Sequence, residues 1–416
     1  MRSPNRPCSS SILRSGALII LVLAIAGNAN AREPRARDLG VPFPGETGVF
    51  NAITDVEGVE VGHTTIIRGD GALVVGVGPV RTGVTAIHPR GKNSTEPVFA
   101  GWFALNGSGE MTGTTWIEER GLLDGPVLIT NTHSVGVVRD AAVAWMVETG
   151  WSADWHAPVV AETSDGGFND MNGFHVTKEH ALEAMRSAVR GYVTEGAVGG
   201  GTGMECNSFK GGIGSSSRKI AIKDNVYTIG VLVQCNYGWR TALRQIAGVP
   251  VDALQKAPDA CYEDRTIKIE NPSLAYCDEG APVRLPPEMR SRDGSIIIVV
   301  ATDAPLLPHQ LRRLAKRPSM GLGRLGATSR AGSGDIFIAF STARLSATSE
   351  NELSTVTMFP NNLLSGLFEA TAQATEEAVV NAMVAAKTMV GINGTRVPEL
   401  PEEMLAEIMS AHAASQ

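Results

Sequence analysis

The stretch 291-SRDGSIIIVVATDAPL-306 contains the strongest strand signal in the chain, because Ile296–Val300 are all β-branched. Asp293, Gly294 and Ser295 precede this block without a spacer, and residues of these types favour turns. The ordinary interpretation is a loop that leads into a buried core strand. The alternative is that the chain cleaves its own Gly294–Ser295 peptide bond, which would place Ser295 at a new amino terminus at the head of the strand.

Such a cleavage would solve the problem of activating a serine hydroxyl. No serine in the chain has glycine both two residues before and two residues after it, so the GxSxG motif of the common α/β hydrolases is absent. The α-amine of an N-terminal serine, with a reference pKa of roughly 8, is partly uncharged near neutral pH and can act as the base for its own hydroxyl. Gly294 also has no side chain to obstruct attack of the Ser295 hydroxyl on the preceding carbonyl.

The first 31 residues have the three parts of an export signal. Three arginines precede the apolar run 16–27, which is short for a membrane span, and 29-ANA-31 matches a small-x-small cleavage site. We therefore expect a soluble periplasmic protein whose mature chain begins at Arg32 and has no membrane association once the signal is removed.

Composition limits the partners and cofactors. The net charge of −7, with only 36 lysines and arginines, argues against a nucleic-acid partner. The absence of CxxC and HExxH motifs predicts no metal site. Four of the five cysteines follow the export signal, and an even number permits disulfides in the periplasm. A bridge between Cys261 and Cys277 would hold a loop-like segment together, whereas Cys206 and Cys235 are consistent with ordinary buried thiols.

Strand and helix patterns alternate along the mature chain, which predicts a layered α/β or α+β fold. Segment 48–88 alternates short β-branched runs with glycines, as hairpins do. The other predicted elements are strands at 158–161, 227–233, 296–301 and 335–340, and helices at 134–149, 178–190, 309–316 and 362–389. The segment from Val249 to Pro287 has prolines, acids and no sustained periodicity, which predicts a surface loop or linker.

Two glycine-rich motifs are weak indicators of nucleotide binding. Gly321–Gly326 (GLGRLG) matches GxGxxG, but a basic helix and Pro318 precede it instead of a strand. Gly199–Gly203 (GGGTG) lacks the lysine and serine of a P-loop. Both are interpreted as flexible or close-packed loops of the kind that border active sites.

Ordered motifs spread over nearly the whole mature chain carry a resemblance to a known family. They are 53-ITDV-56, 61-VGHT-64, 106-NGSGE-110, 130-TNTHSVG-136, 162-ETSDG-166, 210-KGGIG-214, 236-NYG-238, 294-GS-295 and 331-AGSGD-335. In these motifs the sequence resembles the N-terminal-nucleophile aminopeptidases of the P1 or S58 type, which include L-aminopeptidase/D-Ala-esterase-amidases and β-peptidyl aminopeptidases.

The resemblance implies an αββα sandwich, similar in layering to other N-terminal nucleophile hydrolases but differently connected. It implies self-cleavage into a larger chain, 32–294, and a smaller chain, 295–416, which form one folded unit and assemble as a homotetramer of such heterodimers. The implied reaction releases the N-terminal residue of a short peptide, amino-acid amide or ester through an acyl-enzyme. It requires no cofactor.

The resemblance also implies roles for individual residues. Ser295 is the nucleophile, and its amine belongs to the proton relay. Ser333 and Asp335 correspond to the serine and the acid that contact the nucleophile. Asn236 corresponds to a donor to the developing oxyanion, and Glu162 to the carboxylate that binds the free ammonium of the substrate.

Several alternatives remain open on the residues alone. The types around Ser333 and Asn236 also suit plain turns. The family acid can be glutamate, so Asp335 has a shorter reach, and Ser164 stands where some relatives carry an active-centre tyrosine, which leaves the preference for L, D or β residues open. An acyltransferase like the ornithine acetyltransferases is one rival, although those enzymes use threonine where this chain has Ser295. A non-catalytic exported binding protein is the other rival.

Overall fold

Two β-sheets lie face to face, and helices cover the outer face of each. The structure, a computed structural model, describes residues 34–151, 155–266, 274–277, 294–344, 353 and 355–416. The predicted export signal and the segment directly before Gly294 lie outside the described residues.

The strands of the described residues are given in chain order. They are β1 (Glu60–Arg68), β2 (Val80–His88), β3 (Val98–Gly107), β4 (Leu122–Leu123), β5 (Val127–Asn131), β6 (Val159–Thr163), β7 (Glu205–Cys206), β8 (Phe209–Lys210), β9 (Gly212–Ile222), β10 (Asn225–Asn236), β11 (Gln245–Ile246), β12 (Val249–Pro250), β13 (Cys261–Tyr262), β14 (Ser295–Thr302), β15 (Gly334–Ser341), β16 (Met389–Val390) and β17 (Thr395–Val397). The α-helices are α1 (Thr114–Arg120), α2 (Val135–Glu148), α3 (Lys178–Ser187), α4 (Pro308–Ala315), α5 (Pro318–Arg324), α6 (Leu364–Val384) and α7 (Glu402–Ala414).

The sheet topology brings distant parts of the chain together. The small sheet has the order β1-β2-β5-β6, and the large sheet has the order β4-β3-β15-β14-β10-β9. In the large sheet β14 and β15 are parallel, and their other neighbours run antiparallel to them. The strands that follow Ser295 therefore lie between strands that precede it.

Strand β14 is buried on both faces, which explains its unbroken β-branched run. Ile297 and Val299 pack in the cluster between the two sheets, whereas Ile296 and Ile298 pack in the cluster that includes residues of α4 and α6. Each fully buried isoleucine stabilises the fold by roughly 1.5–3 kcal/mol relative to an exposed one. The head of β14, where Ser295 lies, is therefore firmly anchored.

The predicted αββα layering is confirmed. Helices α2 and α3 lie against the strands of the small sheet, while α4 contacts β3 and β15 and α6 contacts β9 and β10 of the large sheet. The predicted hairpin within 48–88 is β1 paired with β2. The other predicted strands and helices occur at β6, β10, β14, β15, α2, α3, α4 and α6.

Some sequence predictions were wrong where tertiary contacts decide the backbone. Helix α6 ends at Val384, five residues before the predicted end at Met389, because Met389–Val390 pairs with β17 instead. Strand β9 was missed because its first residues are glycines and serines. A Cβ at Gly214 would collide with the backbone of α6, so the small residue is needed for close packing rather than for flexibility.

The two glycine motifs are close-packed rather than flexible. Gly321–Gly326 was interpreted as a loop, but its first residues belong to helix α5. A Cβ at Gly321 would lie 2.6 Å from the carbonyl oxygen of Ala372, so this glycine lets α5 approach α6. The Gly199–Gly201 turn is buried and passes over the strand that carries Ile129.

The cysteine predictions divide into one correct and one wrong. Cys261 and Cys277 form a disulfide, as the sequence allowed. Cys206 and Cys235 are not free thiols but form a second disulfide across 29 residues of sequence. The turn β7–β8 brings Cys206 beside the end of β10, with 5.6 Å between the two Cα atoms.

The predicted linker from Val249 to Pro287 is also wrong in its described first part, because Val251 and Leu254 are buried in the core.

Candidate active site

The predicted nucleophile lies where three strands of the large sheet begin or end. Ser295 is the first residue of β14 and pairs with Asn236 at the end of β10 and with Gly334 at the start of β15. Its relative exposure is 8%. The backbone N–H of Gly334 donates to Ser295 Oγ over 3.3 Å. The hydroxyl is thus held at the edge of a rigid core.

Gly294 has a backbone that only glycine adopts easily. Its φ is +69°, in the left-handed region. A Cβ at this position would lie 2.5 Å from the carbonyl oxygen of Asn236 and 2.7 Å from the Cα of Tyr237. Residue 294 therefore approaches the end of β10 more closely than any side chain would allow.

Gly294→Ala is expected to slow the predicted self-cleavage by roughly tenfold or more. The added Cβ would displace the carbonyl that Ser295 is predicted to attack, and it would strain the backbone by about 1–3 kcal/mol. The uncut fraction, followed over time by denaturing electrophoresis, measures the effect. Gly136→Ala is the matched control, since a Cβ there meets nothing within 4 Å. Cleavage of Gly294→Ala at the unaltered rate would contradict the proposed importance of this approach.

Ser333 and Asp335 flank Gly334 and bond to one another. The Ser333 hydroxyl is 2.9 Å from Asp335 Oδ2 and donates to it, and Asn106 Nδ2 donates to Ser333 Oγ over 3.2 Å. Burial raises the pKa of Asp335, while the hydroxyls of Ser329 and Ser333 act in the opposite direction. The shorter aspartate thus reaches Ser333, and Gly334 between them contacts Ser295.

Asn236 is held by hydrogen bonds at both ends of its side-chain amide. The backbone N–H of Glu205 donates to Oδ1 over 3.0 Å, and Nδ2 donates to the carbonyl oxygen of Ser164 over 2.8 Å. This pattern sets which way the amide points. Nδ2 carries two hydrogens, of which the bond to Ser164 uses one.

Glu162 lies in the small sheet, on β6, and is 4% exposed. Its carboxylate accepts a hydrogen bond from the backbone N–H of Glu110 at 3.0 Å and another from the Thr132 hydroxyl. Burial raises the pKa of Glu162, while these hydrogen bonds lower it. A buried carboxylate of this kind gains from an incoming cation.

Gly109 connects the two sheets at this point. A Cβ built on Gly109 would lie 3.1 Å from Glu162 Oε1 and 3.2 Å from the Cα of Gly334. Since the N–H of Gly334 also donates to Ser295 Oγ, the structure brings together the Ser295 hydroxyl, the Ser333–Asp335 pair and the buried carboxylate of Glu162.

Sequence reasoning gave no role to two residues that shape this site. Asn106 holds Ser333, and Thr132 holds Glu162. Both lie in motifs that carried the family resemblance, so the signal was present without a function attached to it.

No cluster of metal-ligating side chains occurs among the described residues. Over the same part of the chain, no helix has the length and apolar character needed to span a bilayer.

A family model, a curated relative and two solved structures each match most of the chain, and all of them are peptidases. Residues 51–397 match the model of Peptidase family S58. The chain is 53% identical over 396 residues to a β-peptidyl aminopeptidase of Sphingosinicella microcystinivorans, covering 95% of this chain and 96% of that protein. Among solved structures, a Burkholderia β-aminopeptidase is 43% identical with a TM-score of 0.77, covering 91% of this chain and 99% of that chain. The L-aminopeptidase D-Ala-esterase/amidase of Ochrobactrum anthropi, described as a new variant of the Ntn hydrolase fold, is 42% identical with a TM-score of 0.79, covering 92% and 99%.

Proposed function

The chain belongs to peptidase family S58 and is an aminopeptidase, and from that premise we propose that it works through Ser295 on short peptides or amides with a free β-amino terminus. Placement of Ser295 at the junction of β10, β14 and β15, beside Asn236 and Gly334, is the observation that carries the proposal. Similarity to a β-peptidyl aminopeptidase over 96% of that relative supports the substrate class.

The proposed reaction begins with the Ser295 amine that self-cleavage creates. The amine takes the hydroxyl proton while Oγ attacks the substrate carbonyl, and a tetrahedral oxyanion forms. The second hydrogen of Asn236 Nδ2 donates to this oxygen. The ammonium then gives its proton to the leaving amine, which departs as the acyl-enzyme ester forms. Water resolves the ester by the same steps, while Ser333 and Asp335 keep the hydrogen bonds around Gly334 in place.

Glu162 is proposed to bind the free ammonium of the substrate. Its hydrogen bonds come from neutral donors, Glu110 N–H and the Thr132 hydroxyl, which leave the negative charge to be balanced by the ligand. A charge-assisted hydrogen bond to a buried carboxylate contributes about 1.5–3 kcal/mol. Substrates with blocked amino termini would forfeit this energy and are expected to react poorly.

Glu162→Gln is expected to lower kcat/KM for aminoacyl p-nitroanilides by roughly 10- to 100-fold, which is the charge-assisted energy expressed as a ratio. The substitution keeps the shape but removes the charge. Glu179→Gln on the exposed face of α3 is the matched control and should leave kcat/KM unaltered. An unaltered kcat/KM in Glu162→Gln would remove the ammonium-binding role.

A panel of L-, D- and β-aminoacyl amides, assayed on the processed enzyme, tests the substrate class. The β-configured amides are expected to give the highest kcat/KM. Preference for L-α or D-α residues would leave the aminopeptidase intact and overturn the β-peptidyl assignment. Transfer of the acyl group to an added amine in preference to water would favour the acyltransferase alternative.

Processing, location and assembly complete the proposal. The signal-like residues 1–31 support export to the periplasm. The motifs shared with the family support a homotetramer in which each unit is a 32–294 and 295–416 pair. Mass spectrometry of the active protein is expected to give two chains that begin at Arg32 and Ser295. A single intact polypeptide with full activity would contradict the mechanism. A mass from light scattering that differs from the mass of the tetramer would contradict the proposed assembly.

A further inference from the structure

Lys210 is a buried lysine for which the proposed reaction has no use. It is the last residue of β8 and is fully buried. Its Nζ donates to the carbonyl oxygens of Met204 at 2.7 Å and Gly211 at 3.1 Å, and it lies 5.6 Å from the centre of the Phe168 ring. Burial lowers its pKa to about 7, while the nearby Glu205 raises it. Lysines are rarely buried without a carboxylate in direct contact, so the position calls for a reason.

The peptide group between Met204 and Glu205 links Lys210 to Asn236. Its carbonyl oxygen accepts from Lys210 Nζ, and its N–H donates to Asn236 Oδ1 over 3.0 Å. Because a peptide unit is conjugated, an ammonium at its oxygen withdraws electrons and makes its N–H a stronger donor. The same effect passes to the side-chain amide of Asn236, whose Nδ2 hydrogens become better donors in turn.

We infer that Lys210 is a positioning residue that orients and polarises Asn236, acting through the Met204–Glu205 peptide, so that the Asn236 amide stabilises the oxyanion. The inference rests on the proposed function of Asn236 as the oxyanion donor. Lys210 itself touches no reacting atom and is not a catalytic residue.

The contacts around the β7–β8 turn allow the effect of Lys210 on Asn236 to be separated from the folding of that turn. The Cys206–Cys235 disulfide ties β7 to the end of β10 independently of the lysine. Met204 O also accepts from the backbone N–H of Gly211 at 3.0 Å, so it keeps one donor when the ammonium is removed. Loss of the Lys210 amine is therefore expected to alter Asn236 more than it alters the fold.

A double-mutant cycle tests the inference on processed enzyme, with the active fraction counted by the free Ser295 amino ends. Lys210→Met alone is expected to lower kcat by roughly tenfold with little change in KM. A tenfold effect corresponds to the coupling energy commonly measured between two residues of one hydrogen-bond network. In an Asn236→Ala background the same substitution is expected to change kcat by less than about twofold, because the group on which it acts is gone. Lys219→Met on the exposed part of β9 is the matched control.

The outcomes distinguish the positioning role of Lys210 from the oxyanion role of Asn236. An unaltered kcat in Lys210→Met, or an equal loss in both backgrounds, would overturn the positioning role and leave the oxyanion role of Asn236 standing. If Asn236→Ala does not lower kcat, the oxyanion proposal itself fails and the Lys210 inference fails with it. Thermal unfolding checks each variant, and if Lys210→Met does not fold, Lys210→Gln, which keeps an uncharged donor, replaces it in the same cycle.

Discussion

Ser295→Ala is expected to yield one uncut polypeptide with no measurable aminopeptidase activity. The substitution removes the hydroxyl that is proposed to attack the Gly294 carbonyl, so neither the cleavage nor the terminal amine that depends on it would arise. The change is small in volume at a position held between Asn236 and Gly334, so the fold should persist. Denaturing electrophoresis and hydrolysis of an aminoacyl p-nitroanilide measure the two losses.

Two further variants make this result specific. Ser295→Thr keeps a hydroxyl and a β-branched residue suited to a strand, so it should still cleave, although more slowly. Ser415→Ala, near the exposed end of α7, should cleave and hydrolyse normally. If Ser295→Ala appears as two chains divided at residue 294, the nucleophile of the cleavage lies elsewhere.

Asn236→Ala is expected to lower kcat by roughly 10²- to 10³-fold, the loss typical of one oxyanion donor, at about 3 kcal/mol. Because this bond strengthens only as negative charge develops on the carbonyl oxygen, KM should change little. The alanine also leaves the Glu205 N–H and the Ser164 carbonyl without their present partner, so thermal unfolding must accompany the kinetics.

The other end of the same strand offers the control. Asn225→Ala makes the identical substitution at the exposed first residue of β10 and should leave both constants unaltered. A rise in KM at constant kcat in Asn236→Ala would show that the amide binds substrate equally in the ground and transition states. In that case another donor would have to serve the oxyanion.

Some residues of the candidate site could be predicted from the sequence, and others could not. The serine after Gly294 and the acid at Asp335 could be located from residue types and motifs, since each lies beside a recognisable strand. The part played by Asn106 and Thr132 could not, because their importance comes only from the side chains they contact, Ser333 and Glu162. The pairing of Cys206 with Cys235 was missed for the same reason, since it depends on how the β7–β8 turn meets β10.

The amino-acid sequence by itself determined the local features: the buried strand after Ser295, the amphipathic helix α3, the junction at which cleavage is proposed and the family to which the motifs point. These follow from side-chain size, polarity and spacing within a few residues. Only the tertiary structure decided that Gly109 brings Glu162 of the small sheet beside Gly334 of the large one, and that one peptide group joins Lys210 to Asn236. The physical reason is that the order of the strands in each sheet sets contacts between residues far apart in the chain, and the side-chain pattern within one strand does not specify which strands become its neighbours.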